Sequence, residues 1–333
     1  MPKNISLLVG GTDATPALTS DIVISDSLNA VCRSMSFSIQ QTGTPQSLLG
    51  RDVVLTYAGV PWYRGTIKTH GLSYTGETTY TAYDPLFVWG KFPDDWYFKT
   101  QTATQILQKM ANTCGVKTAS LANTQAVFAY LFYQGAQPEK VAVDVLARTR
   151  AANGRKYWYR YSPTEDGLVV FERKTPPTIW AFQRGVNLTA ASKTESIEDL
   201  YTSVKVVHRE SGKVVVKTDS AAQTAYGKSQ HFEEVNSDTV NLDTEATELL
   251  AELSKVAVDM SIAGVNPDAT MGQFFSGDPV YVEEATTGIM GGYYIKNVTH
   301  TISADALIKL DLDIQLTLDL PAIQFENADE EKK

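Results

Sequence analysis

The side chains best suited to chemistry in this chain are four histidines, a scatter of carboxylates and two cysteines. Their spacing decides against most of what they could do. His70, His208, His231 and His300 lie far apart. None sits in an HExxH helix pattern or in a cluster with metal-ligand spacing, so no metal site is expected. His70 and His300 each follow a threonine in a β-rich run and read as packed or surface residues. The adjacent acids Asp94–Asp95 and Glu283–Glu284 would point to opposite faces of a strand, which does not suit an acid–base pair. Two distant carboxylates brought together by the fold would leave a glycosidase open. Cys32 and Cys114 form no CxxC pair and read as buried free thiols. The chain has no GxSxG elbow, P-loop or GxGxxG, and Gly10–Gly11 opens no helix pattern. No catalytic residue, no cofactor and no metal are therefore expected. The aromatic content (16 Tyr, 12 Phe, 5 Trp) invites a carbohydrate platform at Tyr157, Trp158, Tyr159 and Tyr161. Consecutive strand residues alternate faces, however, so core and interface is the preferred reading.

The first ~95 residues read as short strands. Met35, Phe37 and Ile39 alternate with polar residues, Val53 and Leu55 alternate with Val54 and Thr56, and Tyr57–Pro61 and Thr75–Glu77 are reversals. After Trp96 the character changes. Thr102 to Cys114 reads as a helix, with a Thr102/Gln105 capping box and Gly115 as its stop. A second helix runs from about Pro138 to Asn153, ended by Gly154. A hairpin follows, Lys156–Tyr161 and Leu168–Glu172, around Asp166–Gly167. Lys174–Pro177 reads as a stiff connector. Then come a strand with Val204, Val206 and His208, a turn at Ser211–Gly212, Lys213–Lys217, and a long helix from Glu245 to Ile262, with Pro267 barring continuation. The tail FENADEEKK is expected to be disordered.

The two ends say similar things. Gly50–Asp84 and Gly277–Ile314 each open with Gly and Asp before a β-rich run. Each passes a Gly followed by aromatics, reaches a Thr-His pair (His70, His300), turns, and ends in an alternating strand. The fold class expected is β-rich α+β, with two similar small β-barrel domains, an inserted α+β domain and a helical excursion in the second barrel. The boundaries are 1–95 for the first barrel, 96–176 for the insertion, 177–218 with 265–322 for the second barrel, 219–264 for the excursion and 323–333 for the acidic tail. Three such subunits in a ring would present six similar units to a sixfold partner.

At 333 residues, 43% hydrophobic and 20% charged, the composition is that of folded globular protein. No apolar run approaches the ~18 residues of a membrane helix, so no membrane insertion is expected. The start MPKNISLLVGG offers no signal peptide, which predicts synthesis and assembly in a cytosol. A net charge of −9 argues against a sequence-specific nucleic-acid reader. It suits a lumen that nucleic acid passes without sticking, provided the carboxylates face inward.

Four stretches carry a family likeness: TAYDPLFVWGKFPDDWYFKTQTATQILQKMANTCGV, EKVAVDVLARTRAANGRKYWYRYSPTEDGLVVFER, SIEDLYTSVKVVHRESGKVVVKTDSAAQTAYGKSQHFEEV and SGDPVYVEEATTGIMGGYYIKNVTHTI. Together they cover most of Thr81 to Leu320. In order and spacing they resemble the baseplate hub proteins of contractile bacteriophage tails and phage-tail-like bacteriocins, the late control protein D group. The resemblance implies a homotrimer whose two barrels per subunit form a pseudo-sixfold ring. It implies contact with a tail tube hexamer, a central spike trimer and baseplate wedge proteins. It also implies a place in the baseplate of a virion or tail-like particle assembled in the bacterial cytoplasm. Some members of that group carry a fused spike or lysozyme domain, which is not expected here. Val53, Leu55, Tyr57, Val280, Val282 and Glu283 are the expected tube or subunit contacts, because they occupy equivalent strands of the two units. The alternatives are a tail-associated wall hydrolase, a peptidoglycan-binding module using Trp158 and Tyr159, and the distal tail protein of a non-contractile tail.

Overall fold

The computed structural model describes residues 5–40, 47–173, 179–235, 241–266, 272–303 and 307–317. The expected connector at Lys174–Pro177, the stop at Pro267 and the acidic tail lie outside them. The chain forms two compact units, one made of 1–191 with 261–333 and the other of 192–260.

The first unit opens with β1 (Ile5–Val9), β2 (Thr12–Asp13), β3 (Ile22–Ser27), β4 (Ser34–Gln40), β5 (Asp52–Tyr57), β6 (Val60–Leu72) and β7 (Glu77–Tyr83). An insertion follows: β8 (Asp94–Thr102), α1 (Ala103–Thr113), β9 (Thr118–Leu121), β10 (Val127–Ala136), α2 (Pro138–Asn153), β11 (Tyr157–Ser162) and β12 (Gly167–Glu172). The chain continues through β13 (Trp180–Gln183) and β14 (Leu188–Ser196), which leads into the second unit. That unit holds β15 (Ser203–His208), β16 (Val214–Thr218), α3 (Ser220–Tyr226), β17 (Gln230–Val235) and α4 (Leu242–Leu253). β18 (Ala257–Asn266) leads back to β19 (Pro279–Glu284), β20 (Ile289–Ile302) and β21 (Ile308–Gln315). The molecule is a β-rich α+β protein.

The local signals act as expected in several places. The Thr102 side chain accepts from Gln105 N–H while Gln105 Oε1 accepts from Thr102 N–H, closing the capping box of α1. Gly154 ends α2 in the left-handed region. Ala58 and Gly59 both take positive φ, so a two-residue turn joins β5 to β6 with Tyr57 facing Val60.

Thirteen strands form one sheet in the order β14-β18-β21-β20-β3-β4-β7-β6-β5-β1-β2, with β13 on β19 and β19 on β20. The same strand order occurs twice. β1-β5-β6-β7-β4-β3 in the first half corresponds to β13-β19-β20-β21-β18-β14 in the second. One difference is direction: β1 is antiparallel to β5, whereas β13 is parallel to β19. The halves are joined edge to edge by β3, which pairs along β20 from Ile22↔Ile302 to Ser27↔Asn297.

The insertion carries its own core. Trp89, Trp96, Phe98, Ile106, Leu107 and Met110 pack with Val141, Val145, Leu146 and Leu168 between the two helices and the strands. Trp158 and Tyr159 are buried in it, so neither presents a sugar platform to solvent. Tyr159 lies against Trp89 and Trp158 lies under the Arg173 guanidinium, because α2 and the neighbouring segments cover both faces of β11.

The second unit corrects two expectations. The helix expected over Glu245–Ile262 ends at Leu253, and Ala257–Asn266 is strand. Val256, Val258, Met260 and Ile262 recur every second residue, the period of a strand, and Ser254 closes the helix. β15 and β16, expected in the second barrel, instead form a three-stranded sheet with β17. Val204, Val206 and Ala246 make its small core, with Leu249, Leu250 and Leu253 of α4 packed on them. The whole of 192–260 is thus the excursion.

Candidate functional site

The duplicated elements are the β5–β6–β7 and β19–β20–β21 corners, and their geometry matches residue by residue. Gly50 N–H donates to the Ile67 carbonyl at 2.9 Å and Ile67 N–H to the Arg51 carbonyl at 3.0 Å. Gly277 N–H donates to the Ile295 carbonyl at 2.7 Å and Ile295 N–H to the Asp278 carbonyl at 3.0 Å. Gly50 and Gly277 sit at φ +77° and +84°, a conformation that disfavours side chains, which explains glycine at both. Each second hairpin then shifts register by one residue, after Ile67 in one half and after Ile295 in the other. The extra residue is a lysine in both, Lys68 and Lys296.

This bulge fixes the true equivalence and corrects the sequence alignment of the two Thr-His pairs. His70 pairs with Tyr80 and corresponds to Val298, which pairs with Leu312; His300 corresponds to Leu72. The two histidines therefore live differently. His300 is fully buried, accepts from Phe274 N–H at 3.2 Å through Nε2, and meets the Trp62 ring edge-on. Burial, aided by the Arg33 charge, pushes its pKa down to about 3, so it is neutral.

The six expected contact residues fall on equivalent strands, Val53 with Val280 and Leu55 with Val282. Val53, Leu55, Tyr57, Val280 and Val282 are buried within the subunit, and only Glu283 is exposed. Both strands are paired on both sides, β5 by β1 and β6, β19 by β13 and β20. They offer no edge to a partner. The side chains available on them are the alternate ones: Val54 and Thr56 on β5, and Tyr281 with Glu283 on β19. Beside the latter lie exposed Met290 and Gln183, whose amide donates to Glu283 at 2.7 Å.

A second site was invisible in the sequence. A cavity of about 150 Å³ lies where β3, Arg33, Asp84, β11 and the Ser276 loop meet. Arg33 is buried, and its guanidinium lies 4.6 Å from the Phe275 ring; that of Arg160 lies 3.8 Å from the same ring. Arg160 Nη1 also bonds Asp278 Oδ1 at 3.2 Å. Asp84 accepts from Arg33 N–H at 2.9 Å and from Leu86 N–H at 2.8 Å, and Asp26 accepts from Ser276 N–H at 2.9 Å. Burial pushes the Asp84 carboxyl up to about 7, against the lowering pull of its two backbone donors and Arg33. Burial likewise raises Asp278, with Arg160 opposing it, and lowers Arg173 to about 10.

This arrangement ties the insertion to both β-halves. Asp26, Arg33 and Asp84 come from the first half, Arg160 from the insertion, and Phe275, Ser276 and Asp278 from the second. Both oxygens of Asp84 are taken by backbone donors, and the cavity is below the ~300 Å³ at which ligand pockets begin. Arg33 Nε and Nη2 are buried and lack a hydrogen-bond partner among the described residues. The chemistry available is that of a buried polar joint.

The fold so built is that of phage tail proteins. The chain matches the 43 kDa tail protein of prophage MuSo2 from Shewanella oneidensis with a TM-score of 0.67 at 17% identity, over 94% of this chain and 98% of that one. In sequence it is 25% identical to YqbQ of Bacillus subtilis (strain 168) over 274 residues, 78% of this chain and 82% of that protein. It is 26% identical over 278 residues to the phage-like element PBSX protein XkdQ of the same organism, with the same coverage. A family model described as YQBQ-like matches residues 22–315, and the chain belongs to that family.

Proposed function

We propose that this chain is a structural protein of a phage or phage-like tail, the hub of its baseplate. In this reading three copies form a ring of six equivalent β-halves that joins a hexameric tube to a trimeric spike and starts tube assembly. The observation that carries it is the strand order repeated within one chain, down to the bulge at Lys68 and Lys296. A chain with two equivalent halves presents sixfold-like contacts on one side while remaining threefold on the other. The buried joint of Arg33, Asp84, Arg160 and Asp278 supports a load-bearing role, since it locks the insertion against both halves. The names of the relatives, a prophage tail protein and a protein of a phage-like element, point the same way. The same reading puts this chain within the virion or tail-like particle rather than free in the cell.

Light scattering on the purified chain, alone and mixed with its tube and spike partners, tests the proposal. A mass of three copies, reached alone or on the spike, is expected. A chain that stays monomeric in both mixtures would overturn it.

A further inference from the structure

The repeat leaves one contact without its counterpart. Within the chain, β3 closes the free side of β20 over Asn297–Ile302. The equivalent run on β6, carried over through the bulge, is Thr69–Leu72, where β6 ends and the turn to β7 begins. It has no strand on that side among the described residues, since β6 pairs only with β5 and β7. The consequence shows in exposure. Val298 and His300 are buried, whereas their equivalents are half-buried His70 and Leu72, which is 62% exposed. An apolar side chain thus stands in water where the second half has core.

The strand that would close this edge also exists in the chain. β14 holds the place in the second half that β3 holds in the first, and among the described residues its only ladder is with β18, apart from a single bridge from Leu188 to Arg184. An open groove of about 270 Å³ runs along its beginning, lined by Leu188, Thr189, Ala190 and Ala191 with Arg184 and Glu284. Small side chains there let another backbone approach. One chain therefore carries one unfilled strand position and one unpaired strand, in opposite halves.

We infer that β14 of one copy adds antiparallel to the Thr69–Leu72 edge of β6 in the next, repeating between subunits the β3–β20 seam found within each. The inference rests on the hub reading and names the surface that closes its ring. The contact is heterologous, because donor and acceptor edges differ, so it propagates from copy to copy until the ring closes. It also removes two open sheet edges that would otherwise invite uncontrolled pairing.

Cysteine pairs test it in the full chain, purified alone and after co-expression with its tube and spike partners. Leu72→Cys is combined in turn with Thr189→Cys, Ala190→Cys and Ala191→Cys; the single variants and the wild type, with Cys32 and Cys114, serve as controls. At least one pair is expected to give an oxidation-dependent ladder ending at three copies. Leu72→Asp, at an exposed site and with an unchanged circular dichroism spectrum, is expected to raise the concentration needed for assembly at least tenfold. Three-copy particles in which no pair cross-links, or Leu72→Cys alone linking into dimers, would overturn the seam and leave the hub reading standing. A chain that is monomeric under every condition would overturn both.

Discussion

Replacing His300 by leucine isolates one buried titration and predicts stability curves that converge in acid. His300 is fully buried and its pKa is depressed to about 3, against ~6.5 for a free imidazole. Between those values the unfolded chain binds a proton that the folded chain refuses, so folding stability rises with pH through this window. At pH 4 the wild type carries a penalty of ~3 kcal/mol from this group, growing to ~4 kcal/mol near pH 3. His300→Leu has no such penalty but leaves Phe274 N–H buried without its acceptor, which costs ~1–3 kcal/mol at any pH. The variant is therefore expected to be less stable by ~1–3 kcal/mol at pH 7.5 and about equal or more stable at pH 4. Urea titrations followed by tryptophan fluorescence read this directly, because Trp62, Trp89, Trp96, Trp158 and Trp180 all lie in the unit that contains β20. A difference between variant and wild type that does not change from pH 7.5 to pH 4 would refute the reasoning.

Asp84 titrates with the opposite sign. Its folded pKa of about 7 means the folded chain keeps a proton that the unfolded chain releases, so its contribution falls as pH rises from ~4 to ~7. Asp84→Asn is expected to gain up to ~4 kcal/mol on the wild type between pH 4 and pH 8 in the same urea assay, and parallel curves would count against it. Gly65 is fixed by space: a Cβ there would meet the Tyr83 carbonyl and the Tyr63 ring, whereas one at Gly71 meets nothing within 4 Å. Gly65→Ala is expected to cost at least ~1–3 kcal/mol by thermal or urea unfolding. Gly71→Ala in the unassembled chain should stay within ~0.5 kcal/mol.

The parts of the fold legible in the sequence were those with local chemistry. The Thr102/Gln105 box, Pro138 with Gly154, and the Ala58–Gly59 turn each act through neighbours in the chain. The internal repeat was legible as a pattern but not in register. The recurring Thr-His pairs suggested one alignment, while the bulges at Lys68 and Lys296, which no residue type announces, impose another two residues away. The end of α4 was misread because Val256 continues the helical face of Leu249 and Leu253, although Val256–Ile262 alternates as a strand does. β15 and β16 were misplaced because the parallel β15–β17 pairing is set by contacts across the second unit. For the candidate contact residues, the equivalence of their strands was visible, but which face of each strand the core would claim was not. The joint around Arg33 had no signal at all, since Asp26, Asp84, Arg160 and Asp278 come from separate stretches with no motif spacing.

The most direct measurement is an electron cryo-microscopy map of the assembled tail tip with this chain located in it. The account predicts three copies in a closed ring between tube and spike. In that ring six β-halves alternate around the axis, with β14 of each copy seated on β6 of the next. A map placing the chain outside the tube–spike junction, or in a ring whose halves are not related by near-sixfold rotation, would contradict it.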